Sequence, residues 1–482
     1  MGETPFDICL RKYLVPDRKP PIFPITDAMC QNLNWQLRNS LVEVDYKGSP
    51  VPELAESFES SPDAATWYFK LRKGVEFHNG KTLEAEDVID SINLHRGEES
   101  KSAAKSLLEQ VKDIKADGKD TVVIKLESGN ADFPYVLAAY HLTIQPANTR
   151  GKEFAKGIGT GAYSLVSYEP GVKALTKRNP NYWKAGRGHF DEVETFSIAD
   201  VSARINALQT GQLDLINRCD LKTLHLLKKA KNLQIIQTTG TRHYTIPMLT
   251  TIKPYDNNDV RLALKYAVDR EQMVKKILRG YGSVANDHPI GPSQRFFASE
   301  LPQRKYDPDK AKFHLKKSGA ADYTFKLHTA DAAFGGAVDA AVLFQESAAK
   351  AGIKVEVVRE PNDGYWSNVW MKKSFSTCFW SGRPTSDWMF ATAYAADAAW
   401  NDSFWKHDRF NKLLKEARAI LDVNKRREMY VEMQQIVRDE GGVIVPMYAD
   451  FVAAANKKVK FENPAGNWPL DGHKNAERWW FA

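Results

Sequence analysis

Hydrophobic and polar positions along this chain change period repeatedly. Thr66-Trp67-Tyr68-Phe69-Lys70-Leu71 and Thr121-Val122-Val123-Ile124-Lys125-Leu126 have the β-branched and aromatic content of strands. Between them, Ala85-Glu86-Asp87-Val88-Ile89 opens a helix whose apolar stripe is Val88, Ile89 and Ile92. Met29, Leu33 and Leu37 recur at helical spacing after a cap at Thr26 or Asp27. The same spacing predicts helices over about 201–210, 259–280, 308–318, 336–351 and 425–439. The helix at 308 is the best specified: Asp307 caps it, Pro308 suits its first position and Gly319 stops it. Ile353-Lys354-Val355-Glu356-Val357-Val358 alternates as a half-buried strand does. Strands and helices interleaved in this way predict an α/β or α+β fold. The run from Pro5 through Pro16, Pro20 and Pro21 to Pro24 excludes a long regular element at the start.

Length predicts about two to four domains for 482 residues. Net charge is +7, but the 67 basic residues are interleaved with 60 acidic ones, with no basic patch and no groove-reading motif. Nucleic acid is therefore not an expected partner. No apolar run is long enough to span a bilayer. Met1-Gly2-Glu3-Thr4-Pro5 lacks the pattern of a secretory signal, and Phe6 stands where myristoylation requires Ser or Thr, so the expectation, if the protein is exported, is a mature chain with a start Met or a truncated one. Cys9, Cys30, Cys219 and Cys378 form no CxxC pair and no disulfide framework; Cys378 reads as a small buried side chain. GxSxG, HExxH, Walker and dinucleotide signatures are all missing, and neither metal nor cofactor is expected. Asp259 with Arg261, and Asp269 with Arg270, read as structural charges on a helix.

Aromatic residues carry more information. Twelve tryptophans are present. Phe379-Trp380-Ser381-Gly382-Arg383-Pro384 runs from an apolar stretch into a turn and on to Asp387-Trp388-Met389-Phe390. A strand that empties into a Gly-Pro loop puts side chains at an element end, where ligand sites concentrate, and aromatic walls with one or two charges suit a small-molecule cleft. The same pattern is also that of a core strand followed by a surface turn. His243, between Arg242 and Tyr244, is the histidine of interest, although an ordinary strand histidine reads the same way.

Five blocks in order point to a family. Val51-Pro52-Glu53-Leu54-Ala55-Glu56-Ser57-Phe58 is followed by Trp67 to Lys81 and by Ala85-Glu86-Asp87-Val88. Then come Gly159-Thr160-Gly161-Ala162-Tyr163 with Asn179-Pro180-Asn181-Tyr182-Trp183, and Leu208-Gln209-Thr210-Gly211-Gln212-Leu213-Asp214. Asp259 to Arg270 and Tyr306-Asp307-Pro308-Asp309-Lys310-Ala311 complete the set. In this order the chain resembles the extracellular solute-binding proteins, family 5, of peptide, nickel and opine importers. The resemblance implies a two-lobed periplasmic binding protein fold with an extra inserted domain. Residues 1–45, 166–245 and 446–482 would form a discontinuous first lobe, 46–165 the inserted domain and 246–445 the second lobe. It also implies a non-catalytic monomer in the periplasm. Such a protein closes on a small ligand by hinge motion and presents it to an ABC permease in the inner membrane.

In dipeptide-binding relatives an Asp just after a Trp-x-Gly turn holds the ligand's α-ammonium. Here Trp380-Ser381-Gly382 is followed by Arg383, which inverts the charge. A guanidinium repels an ammonium and prefers a carboxylate or phosphate. The expected ligand is therefore an acidic peptide, an opine or a sugar–amino-acid conjugate. Asp387 would recover an amine contact if the loop were shifted. Placement adds Trp388, Trp35, Arg218, Arg242, His243, Tyr244 and His288 as candidate contacts, each with a scaffold role as the alternative. Two other readings stay open: a hydrolase of peptides or glycosides using paired carboxylates, and a cytoplasmic sensor on the same fold.

Overall fold

The computed structural model describes residues 28–98, 100, 102, 104–149 and 156–482. The proline-rich start, Cys9 and the cap expected at Thr26 or Asp27 lie outside the described residues. Helix α1 (Ala28–Leu37) leads into a module with strands β1 (Ala55–Ser60) and β2 (Thr66–Leu71), helix α2 (Ala85–Asn93), β3 (Val111–Ala116) and β4 (Thr121–Leu126). Its sheet is antiparallel in the order β1-β2-β4-β3. Alternation in β2 buries Trp67, Phe69 and Leu71 against Val88 and Ile92 of α2. The expected stripe is thus the buried one.

A second sheet combines β5 (Tyr163–Glu169), β6 (Lys173–Arg178) and β7 (Glu192–Phe196). Helix α3 (Val201–Gln209) and the short β8 (Leu215–Ile216) follow, then β9 (Leu233–Thr238) and β10 (His243–Pro247). The helix expected over 259–280 is instead two, α4 (Asn258–Tyr266) and α5 (Arg270–Lys276). The Asp269 carboxylate accepts from the Gln272 N–H and starts the second, so a cap hidden in a continuous apolar stripe divides it. Next come β11 (Gly282–Val284), α6 (Pro308–Ser318), β12 (Thr324–Thr329), α7 (Ala337–Ala349) and β13 (Lys354–Arg359). In α6, Asp307 caps at Lys310 N and Gly319 ends the helix in the left-handed conformation, as expected. Then follow β14 (Cys378–Trp380), α8 (Ser386–Ala393), α9 (Asp408–Arg418), α10 (Val423–Glu440), β15 (Val443–Ala449) and β16 (Phe451–Asn456). Strands β12 and β13 pair in parallel; the remaining pairs between these strands are antiparallel.

Two sheets define the architecture. One has the order β8-β16-β9 and the other β11-β15-β10-β14. The chain passes between them twice: through residues 239–242 from β9 to β10, and through Asp450 from β15 to β16. Two neighbouring passages, tied by the Ala449 N–H to the Arg242 carbonyl at 2.9 Å, form the hinge of a two-lobed mixed α/β molecule.

Elsewhere, six charges converge. Glu43, Glu53 and Glu477 meet Lys184, Lys474 and Arg478, with Lys184 2.9 Å from Glu53 and 3.1 Å from Glu477. Burial pushes the Glu43 carboxyl up, but the three cations outweigh it and hold it well below the usual range. The cluster ties the first segment to the carboxyl-terminal one. Its three acids lie close enough together to suit a metal, but the three cations already neutralise them. Arg261, which donates to the carbonyls of Tyr255 and Glu440, is likewise structural.

Candidate functional site

Strand register decides which side chains meet. In the hinge sheet His243 pairs with Trp380, and Tyr244 with Phe379. Because neighbouring residues in a strand point to opposite faces, His243 and Trp380 share one face while Arg242, Tyr244, Phe379 and Ser381 belong to the other. The ten residues singled out in the sequence therefore do not form one constellation.

On the first face, Trp380 is buried and its indole N–H donates to Asp402 Oδ2 at 3.3 Å; Trp370 donates to the same oxygen at 3.2 Å. Trp400, half exposed at 49%, lies 6.2 Å from the Trp380 ring. Burial pushes the Asp402 carboxyl up to about 6 against the pull of the two indole hydrogen bonds. His243 Nδ1 lies 3.3 Å from the Thr241 carbonyl, which makes Nδ1 the protonated nitrogen and leaves the buried Nε2 a bare acceptor. Burial, against the Thr241 contact and with help from the nearby Arg383 charge, brings its pKa down to about 4. His288 is buried in the same core, 3.2 Å from the Tyr448 hydroxyl, and burial lowers it to about 3.

The turn after Trp380 is built to hold one conformation. Gly382 has φ +80°, and a Cβ there would meet the Thr241 carbonyl oxygen at 2.1 Å. The Thr241 hydroxyl donates to the Ser381 carbonyl at 2.8 Å, and the Gln294 amide donates to the Arg383 carbonyl at 3.0 Å. Arg383 is thereby presented with its guanidinium 5.8 Å from the Trp380 ring centre, donating to the Gly382 carbonyl at 2.8 Å. Burial lowers its pKa, and the Tyr140 phenol is the group that opposes this. Among the described residues no carboxylate lies within ion-pair distance of Arg383.

Chain-distant aromatics complete this environment. Tyr140 is hydrogen-bonded to Gln31 and meets Trp468 edge-on at 5.6 Å and His141 at 4.0 Å. His141 Nδ1 is buried without a partner, and burial lowers the ring to about 4. Tyr140, His141, Trp400 and Trp468 escaped the sequence reading. Tyr140-His141 directly follows the apolar run 133–139, and an aromatic–histidine pair at an element end was the available signal.

Other candidates lie elsewhere. Asp387 faces away from the turn: Arg418 Nε is 2.8 Å from its carboxylate, with Asp132 and Arg426 beyond. The shifted-loop amine contact is therefore already occupied by Arg418. Trp388 packs on the core of the β1–β4 module. Trp35 is buried beneath Lys474, whose Nζ lies 4.6 Å from its ring. Arg218, Arg242 and Tyr244 line a separate cleft of about 1090 Å³. No helix of the described residues is long and apolar enough to cross a membrane. Cys219 and Cys378 are buried free thiols, and burial raises both.

Comparison with known proteins agrees with this architecture. The family model described as bacterial extracellular solute-binding proteins, family 5 Middle, matches residues 49–402. Di/tripeptide-binding protein 3 of Pseudomonas aeruginosa (strain UCBPP-PA14) is 28% identical over 461 residues, covering 88% of this chain and 86% of the relative. The glutathione-binding protein GsiB of Escherichia coli O6:K15:H31 (strain 536 / UPEC) is 27% identical over 463 residues, covering 92% and 89%. In fold, the chain is similar to the PBP AgaA of A. tumefaciens R10 in complex with agropinic acid. That match has a TM-score of 0.78, 24% identity and 95% coverage of both chains.

Proposed function

The chain belongs to the bacterial extracellular solute-binding proteins, family 5, and is a solute-binding protein rather than an enzyme; within that class we propose that it captures a small anionic solute at Arg383 and delivers it to a membrane permease. One observation carries the ligand reading. The Arg383 guanidinium lies 5.8 Å from the Trp380 ring centre and within electrostatic reach of the Tyr140 phenol, with no carboxylate partner among the described residues; Trp400 neighbours Trp380 and Trp468 neighbours Tyr140. A cation withdrawn from water is costly unless paired, and a ligand carboxylate or phosphate supplies the pair with charge-assisted hydrogen bonds. The aromatic rings supply the walls that hold the rest of the ligand. The solute is a small peptide or an opine or sugar–amino-acid conjugate with its anionic group at the Arg383 end. Relatives named for dipeptides and glutathione, and a fold neighbour holding agropinic acid, support that range. The location we propose is the periplasm, and the acting form a monomer. Residues 1–45, 166–245 and 446–482 form the first lobe in this reading, 46–165 the inserted domain and 246–445 the second lobe.

Native mass spectrometry of protein purified without refolding tests this reading. The expected species is a 1:1 complex with an acidic small molecule, displaced by excess opine or acidic peptide. Capture of neutral or cationic peptides alone would contradict it.

A further inference from the structure

The β1–β4 module touches the molecule on both sides of the hinge. In chain order, residues 243–449 lie between the two sheet-to-sheet passages, and the described residues before 239 and after 450 lie outside them. The module belongs with the outer group, because its Glu53 is held by Lys184 and Lys474 in the six-charge cluster. A hinge motion therefore has to part the module from whatever it touches in 243–449.

That contact is made by residues 129–135 of the module and by α8, α9 and α10. Asp132 and Arg426 pair at 2.6 Å, with side chains only 7% and 3% exposed. The Ala131 N–H donates to the Arg418 carbonyl at 2.7 Å. The Arg418 guanidinium in turn holds Asp387, 2.8 Å from its Nε. Trp388, next along α8, packs on the module's core. The Tyr135 hydroxyl donates to the Gly48 carbonyl at 2.8 Å and is hydrogen-bonded to Arg295. Gly129 comes so close to α9 that a Cβ there would stand 3.0 Å from the Cβ of Ala419.

Two kinds of force act across this contact and supply different things. A buried ion pair loses about as much hydration as it gains in attraction, so Asp132 and Arg426 set the register of the two surfaces more than they stabilise it. The apolar area that Trp388 withdraws from water supplies the favourable free energy. Removing one charge of the pair upsets this balance. The surviving charge is then buried alone while the surfaces are joined, and only opening returns it to water.

We propose that this contact is a lock that keeps the molecule closed without a solute, so that a solute enters only when the module parts from α8, α9 and α10. The lock does not depend on the Arg383 reading and stands whatever solute is captured.

Hydrogen exchange read by mass spectrometry on the full chain tests the proposal, because the Ala131 amide donates across the contact and exchanges when it opens. In exhaustively dialysed wild-type protein the peptide carrying 129–135 is expected to be protected. Asp132→Asn and Arg426→Gln, made singly, should each speed its exchange at least about tenfold. Both should also raise the radius of gyration in solution X-ray scattering and leave β2 and β4 as protected as before. The double variant has no lone buried charge and should return toward wild type. Rapid exchange at 129–135 in the wild type would overturn the proposal, as would unchanged exchange and radius in the folded single variants. Equal loss of protection in β2 and β4 would overturn it too, by showing general destabilisation in place of an opening lock. Should the single variants fail to fold, Trp388→Leu, which keeps both charges and weakens the apolar contact, decides by the same two readings.

Discussion

Arg383 and Asp387 lie four positions apart and have opposite fates. Residue type and a Gly-Pro turn made Arg383 legible from the sequence. The partner of Asp387 was not legible, because Arg418 reaches it from α9, 31 residues away. Asp402 was equally hidden: nothing local announces a carboxylate that accepts from two indoles. Its folded pKa of about 6 lies above the ordinary 3.9 of an unfolded chain, so this group's contribution to stability is full below about pH 4 and is lost as pH rises through 6. At pH 7 the ionised form costs about 3 kcal/mol. Asp402→Asn retains an acceptor for Trp370 and Trp380 and removes that cost. Chemical denaturation should show it more stable than wild type by about 1–3 kcal/mol at pH 7, with no gain at pH 4. A variant destabilised at both pH values would contradict the account.

At the scale of elements, periodicity served well where one stripe faces one core, as in β2 against α2. It failed where a cap interrupts a stripe, which is why one expected helix became α4 and α5. It was silent on register, and register alone separates Trp380 from Phe379, and His243 from Arg242 and Tyr244. The turn that follows β14 depends on Gly382. A methyl group there must take a positive φ and displace the Thr241 carbonyl, which His243 Nδ1 contacts at the start of β10. Gly382→Ala should cost at least about 2 kcal/mol in a denaturation experiment and abolish solute binding. Full stability with intact binding would show that the turn is more adaptable than its geometry implies.

Across the whole molecule, ordered sequence blocks anticipated the two-lobed architecture, but not the approach of Tyr140, more than 200 residues away along the chain, to Arg383. Titration is another property of the whole. Burial holds His95, His141 and His243 at about 4, and His288 and His473 at about 3, all below the ordinary 6.5. A depressed folded pKa gives stability that is present above 6.5 and lost as pH falls toward the folded value. Asp387, Asp402 and Asp450 are raised and act in the opposite sense. Burial lowers His78 in the same direction, and the carboxylates that ion pairs hold low, Glu43, Asp287 and Glu477 among them, act in the same sense, so together they outweigh the three raised acids and predict a thermal midpoint that falls steadily from pH 7 to pH 4.5. A flat or rising midpoint over that range would contradict the buried, neutral state of these rings.

The central claim is that Arg383 receives an anionic group of a captured solute. Isothermal titration with matched pairs, each acid against its neutral amide, tests it most directly in wild type and Arg383→Asp. The account predicts that opines or acidic conjugates bind wild type, that their amides bind at least about 30-fold more weakly, and that Arg383→Asp removes the difference, a loss of about 2 kcal/mol. Equal affinity for acid and amide, unchanged in Arg383→Asp, would take Arg383 out of the site and make this an ordinary binder of neutral peptides.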